Sequence, residues 1–220
     1  MTGHNPLRGL SAKGVLELKI KPGGEALFAG NFVKLNNFAK VNCVNNSSTY
    51  FLDLDADYLK LEKTSNTPKQ VRIIQGEIDS QSFTGTGLPL QSFSITVNEA
   101  TDNDYIKVRV NGELWTIEES LYDMGNNAFA CMVKTGISGG LDVYFGTGNF
   151  GAIPPAGSTI EVTYVKTIGS TGNIDTNKNL IFEFEDSGLD STGQDVDLKN
   201  VVGITVTEAP NFGADNENPE

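Results

Sequence analysis

Three carboxylates at every second position, Asp53, Asp55 and Asp57 in the run DLDAD, come nearest to chemistry in type and spacing. Alternating carboxylates ligate Ca²⁺ when a tight loop folds them inward. An EF-hand loop opening at Asp53 needs Gly at its sixth position and Glu at its twelfth, and this chain has Tyr58 and Thr64 there. The same spacing suits a strand with Leu52, Leu54, Ala56 and Tyr58 toward a core and the aspartates toward water, which is the preferred reading. A second acidic cluster, Glu183, Glu185, Asp186, Asp190, Asp195 and Asp197, divides the same way and is read as a solvated face and loop.

Other chemistries lack parts. His4 is the only histidine, so the chain supplies neither a histidine-based triad nor a multi-histidine zinc site. Cys43 and Cys131 have no metal-like spacing and read as two reduced, buried thiols. Carboxylates are plentiful, but no motif singles out a hydrolytic pair. The runs GTGNFG (Gly146–Gly151) and GSTGN (Gly169–Asn173) lack the lysine of a phosphate-binding loop and read as turns. Trp115, between Leu114 and Ile117, reads as a core or interface anchor rather than a sugar-stacking platform. No catalytic, cofactor-binding or metal residue is expected, and no enzymatic activity.

The elements that would carry any site are strands. Leu16, Leu18 and Ile20 alternate with Val15, Glu17 and Lys19, and similar stretches follow at Ala39–Val44, Tyr50–Tyr58 and Gln70–Ile78. After the break FTGTGLPLQ (Phe83–Gln91) come Gln91–Val97 and Tyr105–Val110, then the hairpin signal Asn111-Gly112 and a return strand at Glu113–Thr116. Glu118–Met124 is the best short-helix candidate. Ala128–Lys134, Leu141–Phe145, Ser158–Lys166, Asn179–Glu185 and Val201–Thr207 read as further strands. Gly169–Asn179 reads as a linker and Asp186–Asp197 as a loop. Short strands between polar turns predict a mostly β fold of antiparallel, sandwich- or barrel-like domains with one short helix.

The 220 residues suffice for one large β domain or two smaller ones. Apolar residues make up 38%, and 24 glycines bring the total into the globular range of about 45–50%. A net charge of −12 repels phosphate backbones and anionic lipid, so no nucleic-acid partner is expected. No run approaches the roughly 20 apolar residues that span a bilayer, so no membrane insertion is expected. The N-terminal stretch has no apolar core of a secretory signal, which predicts synthesis in a cytoplasm without export.

The segment DVYFGTGNFGAIPPAGSTIEVTY (Asp142–Tyr164) carries a phrase made of Phe145, Gly146, Gly148, Phe150, Gly151, Pro154, Pro155, Gly157, Ser158, Ile160, Val162 and Tyr164. A connector follows, with Gly169, Gly172 and Asn173. In this order, and with VRVNGELWTIEESL before them, the segments resemble the baseplate wedge proteins of large contractile-tailed phages, within the wider baseplate J-like group. Ser11–Gly14 resembles the opening of that group's β domain, Gln75-Gly76-Glu77 the point before its inserted domain, and Phe212–Asp215 the step into further helical parts. Members are substantially longer, so the chain corresponds to a core fragment or a shortened relative.

The resemblance implies a discontinuous first domain (residues 11–85 plus 169–208), an inserted β domain (88–168) and a flexible tail (209–220). It also implies a structural subunit of the virion that associates with itself and with other wedge proteins around the tail tube, assembled in the host cytoplasm. Gly146, Gly148, Gly151, Pro154, Pro155 and Gly157 are then structural turn and corner residues, with Phe145 and Phe150 covering one end of a core. The alternative is a receptor- or carbohydrate-binding β-sandwich of a tail fibre, with Trp115, Tyr105 and Tyr122 as its platform. A Ca²⁺-dependent hydrolase module is the weakest reading, because it lacks a catalytic constellation.

Overall fold

The computed structural model describes residues 8–45, 47–97, 99–136, 140–174 and 179–217. The strands, in chain order, are β1 (Lys13–Ile20), β2 (Phe32–Asn36), β3 (Lys40–Cys43), β4 (Ser48–Asp53), β5 (Tyr58–Glu62), β6 (Lys69–Gln75), β7 (Glu77–Thr84), β8 (Ser92–Ile95) and β9 (Ala100–Val110). They continue as β10 (Glu113–Glu118), β11 (Ala130–Thr135), β12 (Leu141–Phe145), β13 (Thr159–Thr167), β14 (Phe182–Phe184), β15 (Ser187–Asp190), β16 (Asp195–Asp197) and β17 (Val202–Asn211). One α-helical turn, α1 (Leu198–Val201), precedes β17. The fold is mostly β, as the alternation predicts.

The chain divides into two compact units. The first comprises Ser11–Glu77 and Ile168–Ala214. Its strands form a six-stranded sheet in the order β14-β3-β4-β6-β1-β17 and a four-stranded sheet in the order β16-β15-β2-β5. Leu16 and Leu18 of β1, Val33 and Leu35 of β2, and Tyr50 and Leu52 of β4 are fully buried in one core shared by both sheets.

The acidic run DLDAD shows what the period hides. The expected continuous strand Tyr50–Tyr58 is two strands, for β4 stops at Asp53 and β5 begins at Tyr58. β4 pairs with β3 and β6 in one sheet, whereas β5 pairs with β2 in the other, so residues 54–57 carry the chain between sheets. Ala56 and Tyr58, expected inside, are consequently exposed. Asn37 holds the turn, its Oδ1 accepting from the Leu54 N–H at 2.9 Å.

The acidic stretch expected to be a loop at Asp186–Asp197 is instead the β15–β16 hairpin. Its Asp190 is buried: the carboxylate accepts from the Thr192 hydroxyl (2.6 Å) and from the N–H groups of Thr192 (2.8 Å), Gly30 (2.9 Å) and Gln194 (3.1 Å). The Thr192 hydroxyl bond, helped by those N–H donors, holds this carboxyl well below the ordinary aspartate value of 3.8. A depressed folded-state pKa gives stability that is present above the unfolded value and lost as pH falls through the folded one. Asp190→Asn is therefore expected to lower the melting temperature by several degrees at pH 7. The gap to the unaltered chain should narrow progressively in melts taken below pH 4, and a gap independent of pH would refute this role.

The second unit is Ile78–Thr167, with residues 8–10 and 215–217 grouped with it. Its single sheet runs β7-β13-β9-β10-β11-β12-β8. The sheet curls until its end strands approach each other, with the rings of Phe83 on β7 and Phe93 on β8 5.0 Å apart. Asn111 and Gly112 take φ of 51° and 83°, as the Asn-Gly signal predicts for the β9–β10 hairpin. One pair is parallel, β10 with β11, and needs a crossover, residues 119–129.

The short helix expected at Glu118–Met124 falls in and before that crossover. Glu118 stays in β10, and only Leu121–Asp123 forms a 3₁₀ turn, its Tyr122 N–H donating to the Ser120 hydroxyl at 3.2 Å. The helical turn that does form, α1, is capped by Asp197, which accepts from the Lys199 N–H at 3.0 Å.

The observed boundaries differ from those the resemblance implies. Residues 77–84, expected to close the first domain, form β7 beside β13. Residues 209–214, expected in a flexible tail, belong to the first unit because β17 pairs with β1 as far as Asn211. The end of that tail, residues 218–220, and part of the expected linker, residues 175–178, lie outside the described residues.

Candidate functional site

The Gly/Pro phrase joins β12 to β13, and its own residues make it rigid. Thr147 N–H donates to the Phe150 carbonyl (2.9 Å) and Gly148 N–H to the Gly151 carbonyl (2.8 Å), closing a tight turn. Gly146 cannot carry a side chain, for a Cβ there would run into the Phe150 and Gly151 carbonyl oxygens. Gly151 has φ +69°, and a Cβ on it would lie 2.7 Å from the Met124 Sδ. Gly148 and Gly157 also sit at positive φ, Gly157 with open space around it.

Two other loops are stitched to this corner by backbone bonds. The Gly148 carbonyl accepts from Asn127 N–H (2.9 Å), Gly151 N–H donates to Gly125 (3.0 Å) and Ala152 N–H to Ala128 (2.7 Å). On the other side, Gly85 N–H donates to Ser158 (2.8 Å) and Gly157 N–H to Gly85 (2.9 Å). Pro154 and Pro155 have no N–H to satisfy, and their carbonyls accept from the Gln91 side-chain amide (3.0 Å) and the Ser158 hydroxyl (2.7 Å). All six expected corner residues thus lie in one clamp of three loops, 85–91, 125–128 and 146–158.

The aromatic residues divide differently from expectation. Phe145 is fully buried, but Phe150 is 42% exposed and meets the 82%-exposed Tyr122 edge to face, with ring centroids 5.6 Å apart. Ala152 takes the covering place expected of Phe150. Trp115 is only 4% exposed, stacked on Phe129 and edge-on to Phe145, so it cannot serve as a stacking platform for an external sugar. Tyr164, at the end of the phrase, donates its hydroxyl to Asp79 at 3.2 Å, tying β13 to β7. Lys166 bonds the same carboxylate at 2.7 Å and, with the other donors, holds it below its ordinary pKa.

The corner can do little chemistry, because residues 145–158 include no titratable side chain. Elsewhere Asp53 and Asp55 share Arg72, Glu183 pairs with Lys199, and Asp186 accepts from the Lys40 N–H. Among the described residues no group of three or more His, Cys, Asp or Glu side chains is placed to hold a metal ion. Both cysteines are free and buried, and burial pushes the Cys131 thiol up to about 12, which disfavours a nucleophilic thiolate.

In the first unit the other sequence segments singled out for their resemblance meet one another. The Gln75 Oε1 accepts from Ile168 N–H at 3.1 Å, and the Tyr50 hydroxyl donates to the Gly172 carbonyl at 2.8 Å. The Asn173 side chain reads both faces of one backbone residue, accepting from Gly213 N–H (2.7 Å) and donating to its carbonyl (3.0 Å). The stretch expected to be a linker at Gly169–Asn179 is therefore, as far as Asn173, a fitted connector. Sequence reasoning missed Gln91 and Gln75 as anchors. Gln91 Oε1 accepts from the Thr86 N–H (2.8 Å) within its own loop, but the bonds that make the two residues anchors reach Pro154, 63 residues from Gln91, and Ile168, 93 residues from Gln75.

The chain matches no model of a known protein family, and no curated protein matches it. Among the described residues no helix is long and apolar enough to cross a membrane.

Proposed function

We propose that this chain is a structural component of a contractile phage tail baseplate, a wedge subunit that associates with itself and with other wedge proteins around the tail tube in the virion. The observation that carries the reading is the corner: the Gly/Pro phrase on which the resemblance rests is consumed in backbone bonds among three loops and offers no reactive group. Rigid corners of this kind hold surfaces in fixed relation, which suits a scaffold and assigns the chain no turnover and no cofactor. The fitted connector, where Asn173 holds Gly213, supports the same reading.

The test is assembly. Co-expressed with the products of neighbouring tail genes, the chain is expected to elute in a complex with wedge, sheath or tube proteins and to show ring-like or wedge-like particles by electron microscopy. Its absence from every such complex would sink the reading. A second reading, glycan or receptor binding, is favoured only by the exposed Tyr122–Phe150 pair. It requires glycan-array binding that Tyr122→Ala abolishes while the fold stays intact.

A further inference from the structure

The outer face of the four-stranded sheet carries lysines on β2 and β5 and aspartates on β16, with Glu62 at the end of β5. Val33, Leu35, Leu61 and Val196 point inward, while Lys34 of β2, Lys60 of β5, Leu189 of β15 and Asp195 of β16 occupy the alternate, outward positions. One row across the sheet reads Asp195, Leu189, Lys34, Lys60, each opposite the next. Two like charges thus sit side by side, an arrangement that destabilises an isolated sheet. Their ammonium groups lie over rings, Lys34 over Tyr58 at 5.1 Å and Lys60 over Phe32 at 5.0 Å. Among the described residues neither lysine, nor Asp195, has an ion-pair partner. Between Asp195 and the lysines Leu189 remains 39% exposed, and Tyr58, beside the lysines, 40%.

We infer that this face pairs with the same face of a second copy of the chain, about a two-fold axis running along the strands. Such an axis exchanges the two edges of the sheet, so β16 of each copy, with Asp195, lies over β5 of the other, where Lys60 stands between Tyr58 and Glu62. Lys60 then meets Asp195 of the second copy. The Tyr58 hydroxyl, two positions along β5, stands level with Asp197, two positions along β16. A uniformly anionic partner would be repelled by Asp195 and Asp197, and a uniformly cationic one by Lys34 and Lys60. The matching surface must carry both signs in reversed order, and this face does so itself. At a net charge of −12 two copies repel at long range, so only such a local match holds them. Four short strands give less than the about 800 Å² per partner of a standard interface, so the pairing is weak and salt-sensitive.

The inference rests on the self-association proposed above and names its surface. Sedimentation velocity at rising protein concentration reads it. The chain is expected to pass from monomer to dimer, and Lys60→Asp or Asp195→Lys to weaken pairing by roughly tenfold or more. Each reversal leaves charges of one sign at both contacts, so an equimolar mixture of the two variants is expected to form a mixed dimer. Both positions are exposed, and circular dichroism should be unchanged; if a reversal perturbs the fold, Lys60→Gln must still weaken pairing and reduce its salt dependence. A chain that stays monomeric, a single variant that pairs unimpaired, or a mixture that stays monomeric overturns the inference. Self-association that survives both reversals overturns this face alone and leaves the scaffold reading to its own assembly test.

Discussion

Gly146→Ala is expected to destabilise the inserted unit by about 3 kcal/mol, at the upper end of what overpacking costs. The atoms in the way of the new methyl group are the Phe150 and Gly151 carbonyl oxygens, and both are already bound, by Thr147 and Gly148 N–H. Backbone held from both sides cannot give as a flexible side chain can, so the turn must open or the corner must leave its neighbouring loops. Gly157→Ala is the matched control. Its φ is +80°, but nothing lies within 4 Å, so it is expected to cost only the about 1–2 kcal/mol of a left-handed alanine. The only tryptophan, Trp115, lies in the core of this unit, and its fluorescence through a urea titration reports the unit directly. Equal midpoints for the two variants would mean that the corner yields, and the rigid-clamp account would fail.

Trp115→Ala is expected to cost about 3–5 kcal/mol, which is a large part of the about 5–15 kcal/mol that holds a domain folded. The indole is 4% exposed, with the Phe129 ring stacked at 5.5 Å and Phe145 edge-on at 5.3 Å, so truncation opens a cavity among rings that cannot close it. Near-ultraviolet circular dichroism through a thermal melt measures the loss. Tyr122→Ala, in contrast, removes an 82%-exposed ring and should stay within about 0.5 kcal/mol of the unaltered chain. Loss of a binding activity in Trp115→Ala would therefore report unfolding, and only Tyr122→Ala separates a surface role from a structural one. Little loss of stability in Trp115→Ala would show that the indole is not a core residue.

Faces were legible because alternation is local. Leu16 and Leu18 in β1, Phe182 and Phe184 in β14, and the Asn111-Gly112 turn stand as the residue pattern places them. β2 escaped the reading although FVKLN alternates, since five residues between turns make a weak signal. The helix expected at 118–124 failed because its first residue was already committed to pairing with Met132 of β11. Of the corner, the glycines and prolines were legible as turn makers. The Gln91 amide and the loops at 85–91 and 125–128 were not.

By itself the sequence determined that this protein is built of short strands with one wet and one dry side. It also determined that a Gly/Pro corner free of titratable groups interrupts them, because turn chemistry and period belong to neighbouring residues. Only the tertiary structure decided which sheet each strand joins, since pairing partners lie far apart in the chain. That choice put the aspartate run at the crossing from one sheet to the other, turned Asp190 from a solvated acid into a buried acceptor, and set Lys34, Lys60 and Asp195 in one row on a single face.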